Sequence, residues 1–186
     1  MARNRARRTT GDRPRGKGER GAVLVEMAFT LPILCALLFG IIDFGYAFND
    51  WISVRQGGRD GLRQAIVNTA PTAPACTGVG TGAPAAGTDG NKIMCFTKNR
   101  VGLDFTNTRV KVYFVPTSGT LAAGQPMKLC VQYKTSSLTG AYSAILTNKV
   151  LDTEVESLNE QATTMAPFQE DPVVTGGSWP ASCSTL

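Results

Sequence analysis

Histidine is absent from this chain of 186 residues, and its absence excludes several chemistries at once. Without an imidazole there is no Ser/His/Asp or Cys/His nucleophile system, and no zinc site of the histidine-bearing kind. None of the five cysteines stands in the C-x-x-C spacing that would supply a thiolate metal site instead. A P-loop, a G-x-S-x-G elbow and a dinucleotide fingerprint are also missing, and the GVGTG of residues 78–82 has neither a strand before it nor a helix after it. The chain therefore reads as a non-enzyme with no catalytic residue, no metal, no cofactor and no small-molecule substrate.

Charge is scarce too, once it is located. The formal net charge is +5, which by itself would hint at nucleic acid. Residues 1–20 hold eight basic side chains (Arg3, Arg5, Arg7, Arg8, Arg13, Arg15, Lys17, Arg20) against Asp12 and Glu19, so that segment alone is +6. Residues 21–186 are left at −1. The basicity is a tail property, and no nucleic-acid surface is expected beyond it.

What the chain does have is one long apolar run. From Ala22 to Phe48 only Glu26 and Asp43 are charged, and Met27–Ile42 is 16 residues without a charge. A bilayer span needs about 20 mostly apolar residues, so the segment is long enough. Both acids stand near its ends, where headgroups and water reduce the cost of a charge. Pro32 removes one helical hydrogen bond and predicts a kink without forbidding a span. A basic flank before a single span puts the N-terminus in the cytoplasm and the remainder outside. A secretory signal peptide cut after Gly45-Tyr46-Ala47 is the competing reading. The run is much longer than the usual 7–15-residue signal core, and Asp43 falls just before that site.

The cysteines agree with an exported domain. Cys35 lies within the apolar run and reads as a small buried hydrophobe. Cys76, Cys95, Cys130 and Cys183 all follow it, an even set that favours two disulfides outside the cytoplasm. Of the three possible pairings, Cys76–Cys95 and Cys130–Cys183 are favoured, the first closing a Gly/Pro/Ala-rich loop and the second tying the tail to a strand.

Beyond the span, Trp51, Val54, Gly58, Leu62, Ala65 and Ile66 recur at three- and four-residue steps, extending the helix through residues 49–70. Gly57, Gly58 and Gly61 weaken it but permit close approach of a neighbouring molecule or of the domain's own sheet. Arg55, Arg59 and Arg63 share another face, read as solvated. Residues 71–90 are a Gly/Pro-rich loop. Ile93–Thr97, Arg109–Val115, Met127–Tyr133 and Val150–Ser157 read as strands, the second and third forming a hairpin, with Tyr142–Asn148 a short helix or packed loop. Asp152, Glu154 and Glu156 fall on one strand face and read as solvated rather than as calcium ligands.

The organisation is then a basic cytoplasmic leader at 1–21, a transmembrane helix at 22–48 and its exposed continuation at 49–70. A loop at 71–90, a small β-rich exported domain at 91–160 and an irregular tail at 161–186 follow. The fold class is α+β and pilin-like: a long N-terminal membrane helix continuing into an exported domain with a small antiparallel sheet.

The junction of leader and span reads Glu19-Arg20-Gly21-Ala22-Val23-Leu24-Val25-Glu26-Met27-Ala28-Phe29. A glycine closes the basic segment and a lone carboxylate stands five residues beyond it. This resembles the processing site of type IV-like prepilins, which are cut after the glycine by a membrane prepilin peptidase. With Leu31-Pro32-Ile33-Leu34, Gly40-Ile41-Ile42-Asp43-Phe44-Gly45 and Gly58-Arg59-Asp60-Gly61-Leu62-Arg63, it is similar to the N-terminal region of TadE-like proteins, pseudopilins or minor pilins of tight-adherence (Flp-type) systems. The resemblance covers roughly residues 20–65.

It implies cleavage between Gly21 and Ala22, and pairing of Glu26 with the N-terminal amine of a neighbouring subunit. The implied partners are the membrane, the peptidase, other pilins or pseudopilins and the assembly platform. Met27 stands where major Flp pilins usually carry tyrosine, and those pilins are much shorter, which points to a minor component. Asp43 reads as a membrane-edge acid that could pair with Arg55 or a partner's base. The alternative is a single-pass anchored extracytoplasmic binding module, in which the helix is an anchor alone.

Overall fold

The computed structural model describes residues 17–67, 83–114, 121–162 and 165–169, with residues 17–20 and 169 described as backbone only. Helix α1 runs from Lys17 to Ile66, through Pro32 and without a break at the expected membrane boundary. The chain divides into two compact units, Met1–Leu38 and Phe39–Leu186.

In the first unit, every described side chain from Gly21 to Leu38 is exposed except half-buried Cys35. Exposure of Val23, Leu24, Phe29, Leu31, Ile33, Leu34, Leu37 and Leu38 in one continuous helix is the opposite of what water selects. It is what a lipid solvent or a bundle of like helices requires.

The second unit starts with the rest of α1. Val54, Gly57, Gly58, Gly61, Leu62 and Ala65 are buried, and Trp51 and Ile66 are half-buried, so the expected stripe is the inward face. Next comes helix α2 (Asp89–Val101). This corrects the expected strand at Ile93–Thr97. A short apolar run carries too little periodicity to separate helix from strand, and here the termini decide. The Thr88 hydroxyl caps the start by accepting from the Asn91 N–H at 3.3 Å. Asp89 complements the positive end of the helix dipole, and Lys98 and Arg100 the negative end. Gly102, at φ 68°, ends the helix in the left-handed conformation that a side chain would disfavour. The expected β-rich domain thus opens with a helix, and within the expected loop at 71–90 the helix begins at Asp89.

A 3-10 turn at Phe105–Asn107 leads into β1 (Thr108–Phe114), whose inward face is Thr108, Val110, Val112 and Phe114. The hairpin partner is β2 (Pro126–Lys134), antiparallel to β1 in a register that sets Val110 opposite Val131 and Val112 opposite Leu129. A connection with one helical turn, α3 (Ser143–Leu146), leads to β3 (Val150–Leu158) on the other edge of β2. On β3, Asp152, Glu154 and Glu156 are exposed, as alternation requires. Lys128 of β2 reaches Glu154 and Glu156 at 3.3 and 3.4 Å, so these two carboxylates share one cation. A two-residue strand, β4 (Phe168–Gln169), pairs antiparallel with β1 at Lys111 and Val112. The tail expected to be irregular therefore supplies the fourth strand, in the order β3-β2-β1-β4.

The core lies where α1, α2 and the sheet converge, built from Val54, Leu62, Ile93, Met94, Val101, Val112, Phe114, Leu129 and Val131 among others. Glycines bring the layers this close. A Cβ on Gly57 would lie 2.7 Å from the Val101 backbone nitrogen, and one on Gly61 would run into Thr97 of α2. A Cβ on Gly58 would meet Thr153 of β3 at 3.0 Å. Of the two neighbours the small stripe could have received, the chain's own domain occupies it.

Candidate functional site

Two groups of residues on α1 carry the chemistry. The first is Gly21, Ala22 and Glu26. All three are exposed, and the space around Gly21 is open enough that a Cβ would meet nothing within 4 Å. Gly21 lies inside the helix α1. Glu26 follows Ala22 by four residues, one helical turn, on an otherwise apolar surface. Among the described residues its carboxylate makes no ion pair. The nearest polar event is on its backbone, where the Thr30 hydroxyl donates to the Glu26 carbonyl at 3.0 Å. A carboxylate in such surroundings is costly until a cation reaches it.

The second group centres on Asp43. Its side chain is 2% exposed. The β2–β3 connection folds back onto α1 and surrounds the carboxylate with donors. Oδ1 accepts from the backbone N–H groups of Leu138 and Thr139 at 3.1 and 2.9 Å. Oδ2 accepts from the hydroxyls of Ser137 and Thr139 at 2.7 and 2.8 Å. Four donors on one carboxylate satisfy its acceptor capacity without a cation. The same hydroxyls shape the loop, Ser137 Oγ accepting from the Gly140 N–H and Thr139 Oγ1 from the Ala141 N–H.

A second contact lies one turn below. The Tyr142 ring packs on Phe44 with centroids 5.7 Å apart. Its hydroxyl would be 3.2 Å from a Cβ on Gly40, so a side chain there would crowd the tyrosine. Gly40, Asp43 and Phe44 thus form one docking place for the segment 137–142. Asp43 and Phe44 belong to the motif the sequence singled out, while Ser137, Thr139 and Tyr142 were not visible as its partners. They lie 94 or more residues away and belong to no recognisable spacing. The signal was indirect: a run of 14 residues, 135–148, without a charge.

Cys95 and Cys130 are buried. Cys76 and Cys183 lie outside the described residues, and so does the expected assignment of partners. Cys35 is the free cysteine among the described residues.

Residues 21–63 match the model of the family described as TadE-like protein, a similarity confined to the segment that starts at Gly21 and includes Glu26, Asp43 and the buried glycines. No curated protein and no solved structure is significantly similar to the chain.

Proposed function

We propose, with the TadE-like character of residues 21–63 as premise, that this protein is a pseudopilin or minor pilin of a tight-adherence (Flp-type) pilus or secretion apparatus. It is anchored by a single membrane helix, with its N-terminus in the cytoplasm and residues following the span on the outer side. Prepilin peptidase removes residues 1–21, Ala22 becomes the first residue, and Glu26 neutralises the new amine of a neighbouring subunit. Its role is structural, with no catalysis and no cofactor. The exported domain is held by two disulfides, Cys76–Cys95 and Cys130–Cys183.

The observation that carries this reading is the exposed Glu26, without an ion pair among the described residues, one helical turn from Ala22 on a bare apolar helix. Such a carboxylate gains most from a cation supplied by another molecule, and a freshly cut N-terminus is one. Removal of the leader also removes its +6, so the mature chain is nearly neutral and keeps no basic segment for nucleic acid.

The test is intact-mass measurement of the protein extracted from membranes of its native host. A species beginning at Ala22 is expected. A persistent full-length product would sink the processing step and return the chain to an anchored binding module. That alternative also predicts full activity when Ala22–Phe48 is exchanged for an unrelated span.

A further inference from the structure

The β2–β3 connection is latched to α1 at a level inside the apolar run. Gly40, Asp43 and Phe44 all precede Phe48, the expected end of the span, yet loop atoms surround Asp43 and Tyr142 lies against Gly40. A polar loop bonded through four donors cannot sit in hydrocarbon beside residue 43. The hydrocarbon must therefore end near Phe39. Ala22–Phe39 is 18 residues, about 27 Å of helix at 1.5 Å per residue, close to the ~30 Å of a bilayer core.

That places residues 135–148 at the headgroup level, and their surface suits it. The stretch has no charged residue, and Lys149, exposed, follows directly. Leu138 and Ile145 are 61% and 54% exposed, though both are large and apolar. On α1 alongside, Ile41, Phe44 and Tyr46 are exposed as well. This apolar surface is continuous along the chain with the bare helix that needs lipid.

We propose that the β2–β3 connection is a membrane-contacting element of the exported domain. Leu138 and Ile145 immerse in the interfacial layer of the bilayer, and Asp43 fixes their depth by holding the loop to the helix. An uncharged loop with isolated large apolar side chains and a tyrosine is the composition that partitions into the headgroup and acyl boundary. The proposal rests on anchoring by α1 and is independent of whether the leader is cut.

The experiment uses full-length protein carrying Trp51→Phe and Trp179→Phe, reconstituted in vesicles of phosphatidylethanolamine and phosphatidylglycerol. Single tryptophans are introduced as Leu138→Trp or Ile145→Trp. The control for lipid is Leu37→Trp, and the control for water is Ala122→Trp, in the turn before the far end of β2. Each is first checked for an unchanged far-ultraviolet spectrum and melting curve. The expected result is quenching of the 138 and 145 probes by nitroxide lipids, with severalfold less quenching by acrylamide than at 122, at every protein-to-lipid ratio. Acrylamide access equal to that at 122, with no lipid quenching, overturns the proposal. Shielding that appears only at high protein-to-lipid ratio, again without lipid quenching, overturns it in favour of contact with a second subunit. If the Leu37→Trp probe is itself unquenched by lipid, anchoring fails and the proposal fails with it. The mass measurement for leader removal is read separately.

Discussion

Asp43 accepts two hydrogen bonds from one residue, Thr139, the backbone N–H at 2.9 Å and the hydroxyl at 2.8 Å, across 96 positions of sequence. This bidentate contact, with Ser137 and Leu138 added, makes one of the two acids of the apolar run a place where the β2–β3 connection is fastened to α1.

Replacing Asp43 by Asn keeps the shape and exchanges one accepting oxygen for a donor. Either the Ser137 and Thr139 hydroxyls or the Leu138 and Thr139 backbone N–H groups then face an NH2 that cannot accept. The variant is expected to melt roughly 5 °C or more below the parent, with faster hydrogen exchange at the Leu138 and Thr139 amides and little change in β1. Unchanged exchange at those amides would show the latch to be dispensable.

The glycines on α1 divide into two kinds. Gly61→Ala should destabilise the domain by about 1–3 kcal/mol, although alanine favours helix by about 1 kcal/mol, because its Cβ runs into Thr97. Gly57→Ala should behave alike against Val101. Gly45→Ala meets nothing within 4 Å and should be neutral or slightly stabilising. Chemical denaturation of the three variants in detergent checks the contrast.

Tyr113 has a buried hydroxyl with no hydrogen-bond partner among the described residues. Burial pushes its phenol up to about 12, with Glu154 adding to the rise and Arg109 opposing it. The folded state therefore holds this proton more tightly than the unfolded chain, whose tyrosines ionise near pH 10. Its contribution is full below about pH 10 and is lost as pH rises through the folded value near 12. Tyr113→Phe should be neutral or mildly stabilising at pH 7 and should remove the latest step in the tyrosinate absorbance titration. A titration identical to the parent's would contradict this.

Glu26→Ala should leave membrane insertion intact, since it removes a charge from an apolar helix. The expected loss is in assembly, read as absence of the protein from sheared pili or from the purified secretion complex. Equal incorporation of Glu26→Ala and parent would remove the proposed role of this carboxylate.

Thiol labelling under denaturing, non-reducing conditions should modify one cysteine per chain, Cys35. Peptide mapping of the same material should give Cys76–Cys95 and Cys130–Cys183. Any crossed peptide would reassign the pairing, with two disulfides intact.

The hairpin of β1 and β2 and strand β3 were legible because alternation is a local property, and each has one wetter face or edge to reveal it. Helix α2 was not, because five residues around Cys95 alternate as well as they cycle. Its real signature lay in Thr88, Asp89 and Gly102, outside the apolar run. Strand β4 was beyond reach, since two residues carry no period and only the open edge of β1 makes them a strand.

The sequence by itself determined the long apolar helix, the +6 of residues 1–20, the Gly21–Glu26 spacing and the alternating strands, all of which follow from composition and spacing within a few turns of chain. Tertiary structure decided what those parts touch. It turned Asp43 from a membrane-edge acid in search of a cation into an acceptor for Ser137, Leu138 and Thr139, and it gave the glycine stripe to α2 and β3. Local period fixes which face of an element is apolar or polar; the partner on that face comes from residues up to 96 positions away, which only the folded chain brings together.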